Sequence, residues 1–122
     1  MISFVVLGEP ASKANSRRIV LFGKRPALIK SAKAIAYAKS FQRQCPKPTR
    51  MLLGDLVATI RIFYASRRPD LDASVILDAM QGLVYQNDRQ VKEMHLHWGL
   101  DPKRPRAEIS VQAMQPVLID DA

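Results

Sequence analysis

The stretch Asp55-Leu-Val-Ala-Thr-Ile-Arg-Ile-Phe-Tyr-Ala65, followed after Arg67-Arg68-Pro69 by Asp70-Leu-Asp-Ala-Ser-Val-Ile-Leu-Asp-Ala-Met-Gln-Gly-Leu83, decides the fold class. Its first half is rich in β-branched and aromatic residues, which predicts a strand over 55–65 closed by the proline. In its second half Val75, Ile76, Ala79, Met80 and Leu83 recur at helical spacing. That stripe predicts a helix opening at Asp72 or Ala73 and running to about Leu83, docked on a core with Asp78 off the buried side. A long strand feeding an amphipathic helix implies a sheet with helices packed on it.

Outward from this centre, Ile2–Leu7 reads as a first strand ended by Gly8-Glu9-Pro10, and Ala11 to Arg18 as a polar, basic surface loop. Ile19–Phe22 and Ala27–Ile29 read as a hairpin turning through Gly23-Lys24-Arg25-Pro26. Ser31 is placed to cap a helix running to about Gln44, where Pro46 and Pro48 stop it. Downstream, Tyr85-Gln86-Asn87-Asp88 is a turn, and Met94, Leu96 and Trp98 alternate with Glu93, His95 and His97 along a strand. Arg106–Ala113 supplies the last strand, with Ala107, Ile109, Val111 and Ala113 on one face. The expected order is β-β-β-α-β-α-β-β: an α+β domain over residues 1–113, with a mixed sheet, two helices on one face, and a flexible tail over 114–122.

The chain has 122 residues, 48% of them hydrophobic, enough for one ordinary core. No apolar run approaches the ~18–20 residues of a membrane helix, and the start lacks the basic segment of a signal peptide. Cys45 is the only cysteine, so an intrachain disulfide and a thiolate zinc site are both excluded. A reducing cytoplasm is the expected home, and Cys45 is read as a helix-end or loop residue without chemistry.

The net charge of +8 is unevenly placed. Residues 1–50 hold eleven of the 19 Lys and Arg residues, with Glu9 as their only acid, whereas Asp70, Asp72, Asp78 and Asp88 fall within nineteen residues. A basic frame around an acidic island suits a polyanion-binding protein with a metal site; a solvated basic surface is the plainer alternative. In an extended segment Asp70 and Asp72 project on one side while Leu71 turns inward, and two close carboxylates favour a hard divalent cation. Asp88 would join them if the helix packs back on the sheet. A capping Asp72 with a solvent-facing Asp70 is the competing reading, and His95-x-His97 beside Glu93 offers a transition-metal alternative. Tyr64 reads as structural, and Trp98 as core or subunit interface.

The spacing of the whole stretch carries more. Arg67-Arg68-Pro69-Asp70-Leu71-Asp72, then Leu77-Asp78-Ala79-Met80, then Asn87-Asp88-Arg89-Gln90-Val91, resembles the signature of RusA-type Holliday junction resolvases (crossover junction endodeoxyribonucleases), and Pro10-Ala11-Ser12-Lys13-Ala14-Asn15 resembles their loop after the first strand. The resemblance implies a homodimeric endonuclease that depends on Mg²⁺, with Mn²⁺ as a substitute. It would bind four-way DNA junctions and nick opposing strands symmetrically in recombination and repair. It assigns catalysis and metal binding to Asp70, Asp72 and Asp88, and a bacterial or phage-encoded origin. With it, Lys13, Asn15, Arg17, Arg18, Arg67, Arg68, Arg89 and Lys92 are the expected DNA contacts, gripping phosphates rather than reading bases. This sequence departs from the pattern at Ala73, where the family has asparagine, and at Asn87, where it often has aspartate; Asn87 would keep an oxygen for a metal-bound water. The family's lysine on the helix after D-L-D is also missing, its place falling on Ile76 or Ser74. Lys13, Arg67, Arg89 or Lys92 could supply that cation, and a non-catalytic or weakly active junction binder on the same scaffold is the alternative function.

Overall fold

The β-branched run becomes the central strand. The computed structural model describes residues 1–12 and 17–115. In chain order its elements are β1 (Ile2–Leu7), β2 (Arg17–Phe22), β3 (Arg25–Lys30), α1 (Ala32–Gln44), β4 (Leu56–Tyr64), α2 (Ser74–Met80), a 3-10 turn (Asp88–Gln90), β5 (Val91–Leu100) and β6 (Arg106–Ala113). Four strands form one mixed sheet in the order β1-β6-β4-β5, with β4 parallel to β5 and the other pairs antiparallel. Parallel neighbours need a crossover, and α2 supplies it.

Period-two alternation on β4 buries Leu56, Ala58, Ile60, Ile62 and Tyr64. Their register partners Ala107, Ile109 and Val111 on β6, and Val6 on β1, fall on the same face. Tyr37 and Phe41 of α1 and Ile76 and Met80 of α2 close over them in one core, with Phe41 meeting Phe4 edge-on at 5.8 Å. Truncating a residue at its centre, such as Ile60→Ala, should cost on the order of 2–5 kcal/mol. The Gln44 amide accepts from the Leu7 N–H at 2.7 Å and donates to the Leu7 carbonyl at 3.1 Å, so α1 occupies polar groups at the end of edge strand β1.

The fold class and the order of elements are as the sequence predicts. Ser31 caps α1 by accepting from the Ala34 N–H at 3.1 Å. Cys45 ends that helix as a buried free thiol, and burial pushes its pKa up. Two local readings need correction. The hairpin turns through Gly23-Lys24 alone, with Gly23 at φ +65°, and Pro26 sits in β3 opposite Leu21; a two-residue turn needs that positive φ, and the edge of a two-stranded sheet tolerates proline. Helix α2 stops at Met80 rather than Leu83, because Gly82 takes φ +81° and its N–H returns to the Tyr85 carbonyl. Strand β5 lies at the sheet edge, so Met94 and Trp98, on the helix-covered face, keep 42% and 38% of their surface exposed. The tail assigned to 114–122 falls outside the described residues from 116 onward, and the Met114 N–H still donates to the Asp55 carbonyl at 2.9 Å.

Candidate active site

Asp70 and Asp72 lie just beyond the end of β4, on a segment fastened by two aromatic side chains. Buried Tyr64 donates its hydroxyl hydrogen to the Asp70 carbonyl at 3.0 Å and accepts from the Asp72 N–H at 3.3 Å. Trp98 stacks on Tyr64, with centroids 6.2 Å apart, and its indole N–H reaches the Pro69 carbonyl at 3.4 Å. Leu71 packs against the core between the two aspartates. The backbone of Pro69-Asp70-Leu71-Asp72 is therefore held while the Asp70 side chain projects outward. Asp72 has a local duty as well, since its Oδ1 accepts from the Ser74 N–H at 3.0 Å at the start of α2. Glu9 adds a carboxylate at this end of the sheet, accepting from the Ala65 N–H at 3.2 Å. Burial raises the Tyr64 phenol pKa; the Asp72 hydrogen bond opposes that, and the charges of Asp72, Glu9 and Asp70 add to it.

Asp88 is held by amide side chains instead. Gln90, at the end of the 3-10 turn, accepts from the Gln86 and Asn87 N–H groups at 3.1 Å each and donates to the Leu52 and Gly54 carbonyls at 3.0 and 3.1 Å. The Asp88 N–H donates to Gln81 Oε1 at 3.0 Å, and Gln81 Nε2 donates to Asp78 Oδ1 at 3.1 Å. Asp78 Oδ2 in turn stands 3.7 Å from Lys30 Nζ on β3. A four-residue chain thus links the basic hairpin to the Asp88 turn. Buried Tyr85 donates to the Leu77 carbonyl at 2.6 Å, and its pKa is raised by burial first and then by Asp88 and Asp78.

Asp70 and Asp72 accordingly gather at Tyr64, and Asp88 with Asp78 at Tyr85, on two segments joined by α2. Among the described residues, no three His, Cys, Asp or Glu side chains stand close enough together to hold a metal, His95 and His97 included; His95 pairs with Glu93 at 2.8 Å on the sheet face away from the helices. The donor chemistry nevertheless fits a hard cation, which takes aspartate oxygens and leaves positions for water and phosphate. The carboxylates of Asp70 and Asp88 have no hydrogen-bond or ion-pair partner among the described residues, although both backbones are tied down. Asn87 Oδ1 accepts from the Arg89 N–H at 2.9 Å and so caps the 3-10 turn.

Of the expected DNA contacts, Arg67, Arg68, Arg89 and Lys92 are exposed, Lys92 within an irregularity of the β4–β5 register. Arg17 and Arg18 open β2, and Lys13 and Asn15 lie outside the described residues. Sequence reasoning passed over Lys30, Gln81 and Glu9. Lys30 and Gln81 carry no local motif, and Glu9 was visible only as the single acid among the first 50 residues.

A mixed sheet backed by two helices, with outward-facing aspartates at the strand ends and a basic hairpin tied to the same region, defines a small protein equipped to act on a polyanion. The family model of the endodeoxyribonuclease RusA matches residues 8–112, and the chain belongs to that family. It is an endodeoxyribonuclease, a hydrolase of the Holliday junction resolvase type. No individual curated protein matches the sequence.

Proposed function

We propose that this resolvase is Mg²⁺-dependent, with Mn²⁺ able to replace Mg²⁺, and that Asp70, Asp72 and Asp88 are its metal-binding and catalytic residues. It acts as a homodimer on four-way junctions and cuts opposing strands in paired symmetric nicks, in recombination and repair in a bacterial cytoplasm, host- or phage-encoded. The dimer follows from the chemistry: two symmetric nicks need two active sites at a fixed separation. The observation that carries the reading is the pairing of held backbones with carboxylates at Asp70 and Asp88 that have no partner among the described residues. Leaving an acid free while fixing its main chain is how a site is preorganised for a charged ligand.

A divalent cation bound there supplies Lewis-acid polarisation of the scissile phosphodiester. The chain's own residues do the rest. Asp70, exposed on its fastened segment, accepts a hydrogen bond from the attacking water and takes its proton as the water oxygen bonds to phosphorus; the bridging P–O bond breaks and the departing oxygen takes a proton from solvent. Asp72, fixed by its contact with the Ser74 N–H, and Asp88, fixed through Gln81, supply the remaining oxygens. Arg67, Arg68, Arg89 and Lys92, with Lys13, Asn15, Arg17 and Arg18, take the DNA backbone, and junction shape rather than base sequence selects the substrate.

The test compares wild-type and Asp70→Asn proteins on a four-way junction with Mg²⁺. Cleavage should fall by more than about a hundredfold, beyond the loss typical of supporting residues around a metal, while junction binding persists. Undiminished cleavage with unchanged binding would remove Asp70 from the site. The alternative is a non-catalytic or weakly active junction binder on the same scaffold, and that reading would be upheld if the wild-type protein bound junctions without cutting them at any Mg²⁺ or Mn²⁺ concentration.

A further inference from the structure

A groove of about 710 Å³ runs between the 47–53 segment and the turn after α2, with Lys47, Arg50, Met51, Leu53, Gly82 and Leu83 among its lining residues. None of these residues has a role in the site described above. Leu53 is 83% exposed and Met51 37% exposed, an apolar pair beside two cations. A single exposed leucine is unremarkable on a protein surface, but this one is held in place. Gln90 binds the carbonyls on both sides of it, at Leu52 and Gly54, and the Leu52 N–H donates to the Val84 carbonyl at 2.8 Å. Gly54 turns the chain there at φ +72°. The residue that fixes this display, Gln90, is also the residue that braces the turn carrying Asp88.

The groove thus offers an apolar surface and two positive charges on a segment that Gln90 ties to the turn carrying Asp88. Intact duplex shows a protein its phosphates and groove edges, not the flat faces of its bases. A branch point differs, because bases there unstack readily and an apolar side chain can take the place of a lost neighbour. Charge complementarity selects a polyanion over an uncharged protein partner.

We propose that this groove seats an unstacked base at the junction branch point, with Leu53 against the base and Lys47 and Arg50 on the flanking phosphates. The proposal rests on the junction-binding function and adds to it a residue that distinguishes branched from linear DNA.

The experiment uses the full-length protein in EDTA, so that binding is read without cleavage. The probes are a synthetic four-way junction with 2-aminopurine at a branch-point position and a linear duplex carrying the same base. Wild-type protein should raise the 2-aminopurine emission on the junction and not on the duplex. Leu53→Ser should abolish that rise and weaken junction binding about five- to tenfold, with duplex binding unchanged, whereas Leu53→Met should retain both properties. Lys47→Gln with Arg50→Gln should weaken binding to both DNAs and flatten the salt dependence by about two in log–log slope. Thermal melts confirm that each variant is folded, which the exposure of Leu53 leads one to expect. If wild type prefers junctions and Leu53→Ser keeps that preference and the emission rise, the inference is wrong and the functional reading stands. An equal loss on junction and duplex in Leu53→Ser also contradicts it. If wild type shows no preference for junctions, the functional reading fails and the inference goes with it.

Discussion

Asp70 and Asp88 are held by opposite means. The Asp70 segment hangs from the end of the central strand by two aromatic residues, Tyr64 and Trp98, whose polar atoms reach main-chain groups from Pro69 to Asp72. The Asp88 turn is held by two glutamines, which between them make six hydrogen bonds to the turn, to Asp78 and to the 52–54 loop. In each case the polar contacts settle the backbone and leave the carboxylate without a partner among the described residues. The aromatic half runs through buried Tyr64; the glutamine half runs through a network of amide and carboxylate groups reaching Lys30 on the hairpin. Perturbing the two halves should therefore separate stability from metal use.

The largest effect is expected at Gln90. Gln90→Leu strands two carbonyls and two N–H groups, which should lower stability by about 2–3 kcal/mol in denaturant melts and slow junction cleavage by about 10–100-fold, as for residues that orient metal ligands. Tyr64→Phe removes one hydroxyl that bridges Asp70 and Asp72, and should cost about 1–2 kcal/mol with cleavage reduced about tenfold. Gln81→Met breaks the link between Asp78 and the Asp88 N–H. Cleavage should need more Mn²⁺ for half-saturation while the melting temperature moves by only a few degrees; an unchanged metal requirement would show that the network merely decorates the turn.

The smallest effect is in pH. Tyr64 and Tyr85 have phenol pKa values raised by burial, so their neutral forms stabilise the fold. That contribution is complete below the ordinary tyrosine value near ~10 and is lost as pH rises through the folded values. Melting temperature should fall as pH rises above that value, less steeply in Tyr85→Phe than in wild type.

Much of the fold was legible because single residues announce it. The β-branched run at 56–64, Ser31 before α1, and the Ala107, Ile109 and Val111 alternation each act through local pattern. Gly82 was just as local, yet the apolar stripe continues to Leu83 and hides the helix end. Pro26 was read as a turn residue because its place at the edge of a two-stranded sheet depends on pairing with Leu21. At the site, the D-L-D and N-D-R-Q-V spacings pointed to Asp70, Asp72 and Asp88, but not to what holds them. Trp98 reaches Tyr64 and the Pro69 carbonyl only after β4 and β5 align in parallel, and Lys30 comes within 3.7 Å of Asp78 across 48 residues of sequence. Gln90 stood in the motif, yet its work on Leu52 and Gly54 spans 38 and 36 residues of sequence and has no local signature.

The claim that these two separately built halves serve one metal-dependent site is tested most directly by junction cleavage against Mn²⁺ concentration for wild-type, Asp70→Asn and Asp88→Asn proteins. Both variants should lose cleavage by more than about a hundredfold at every metal concentration while still binding the junction. An Asp88→Asn protein that cuts with the wild-type rate and metal dependence would contradict the account.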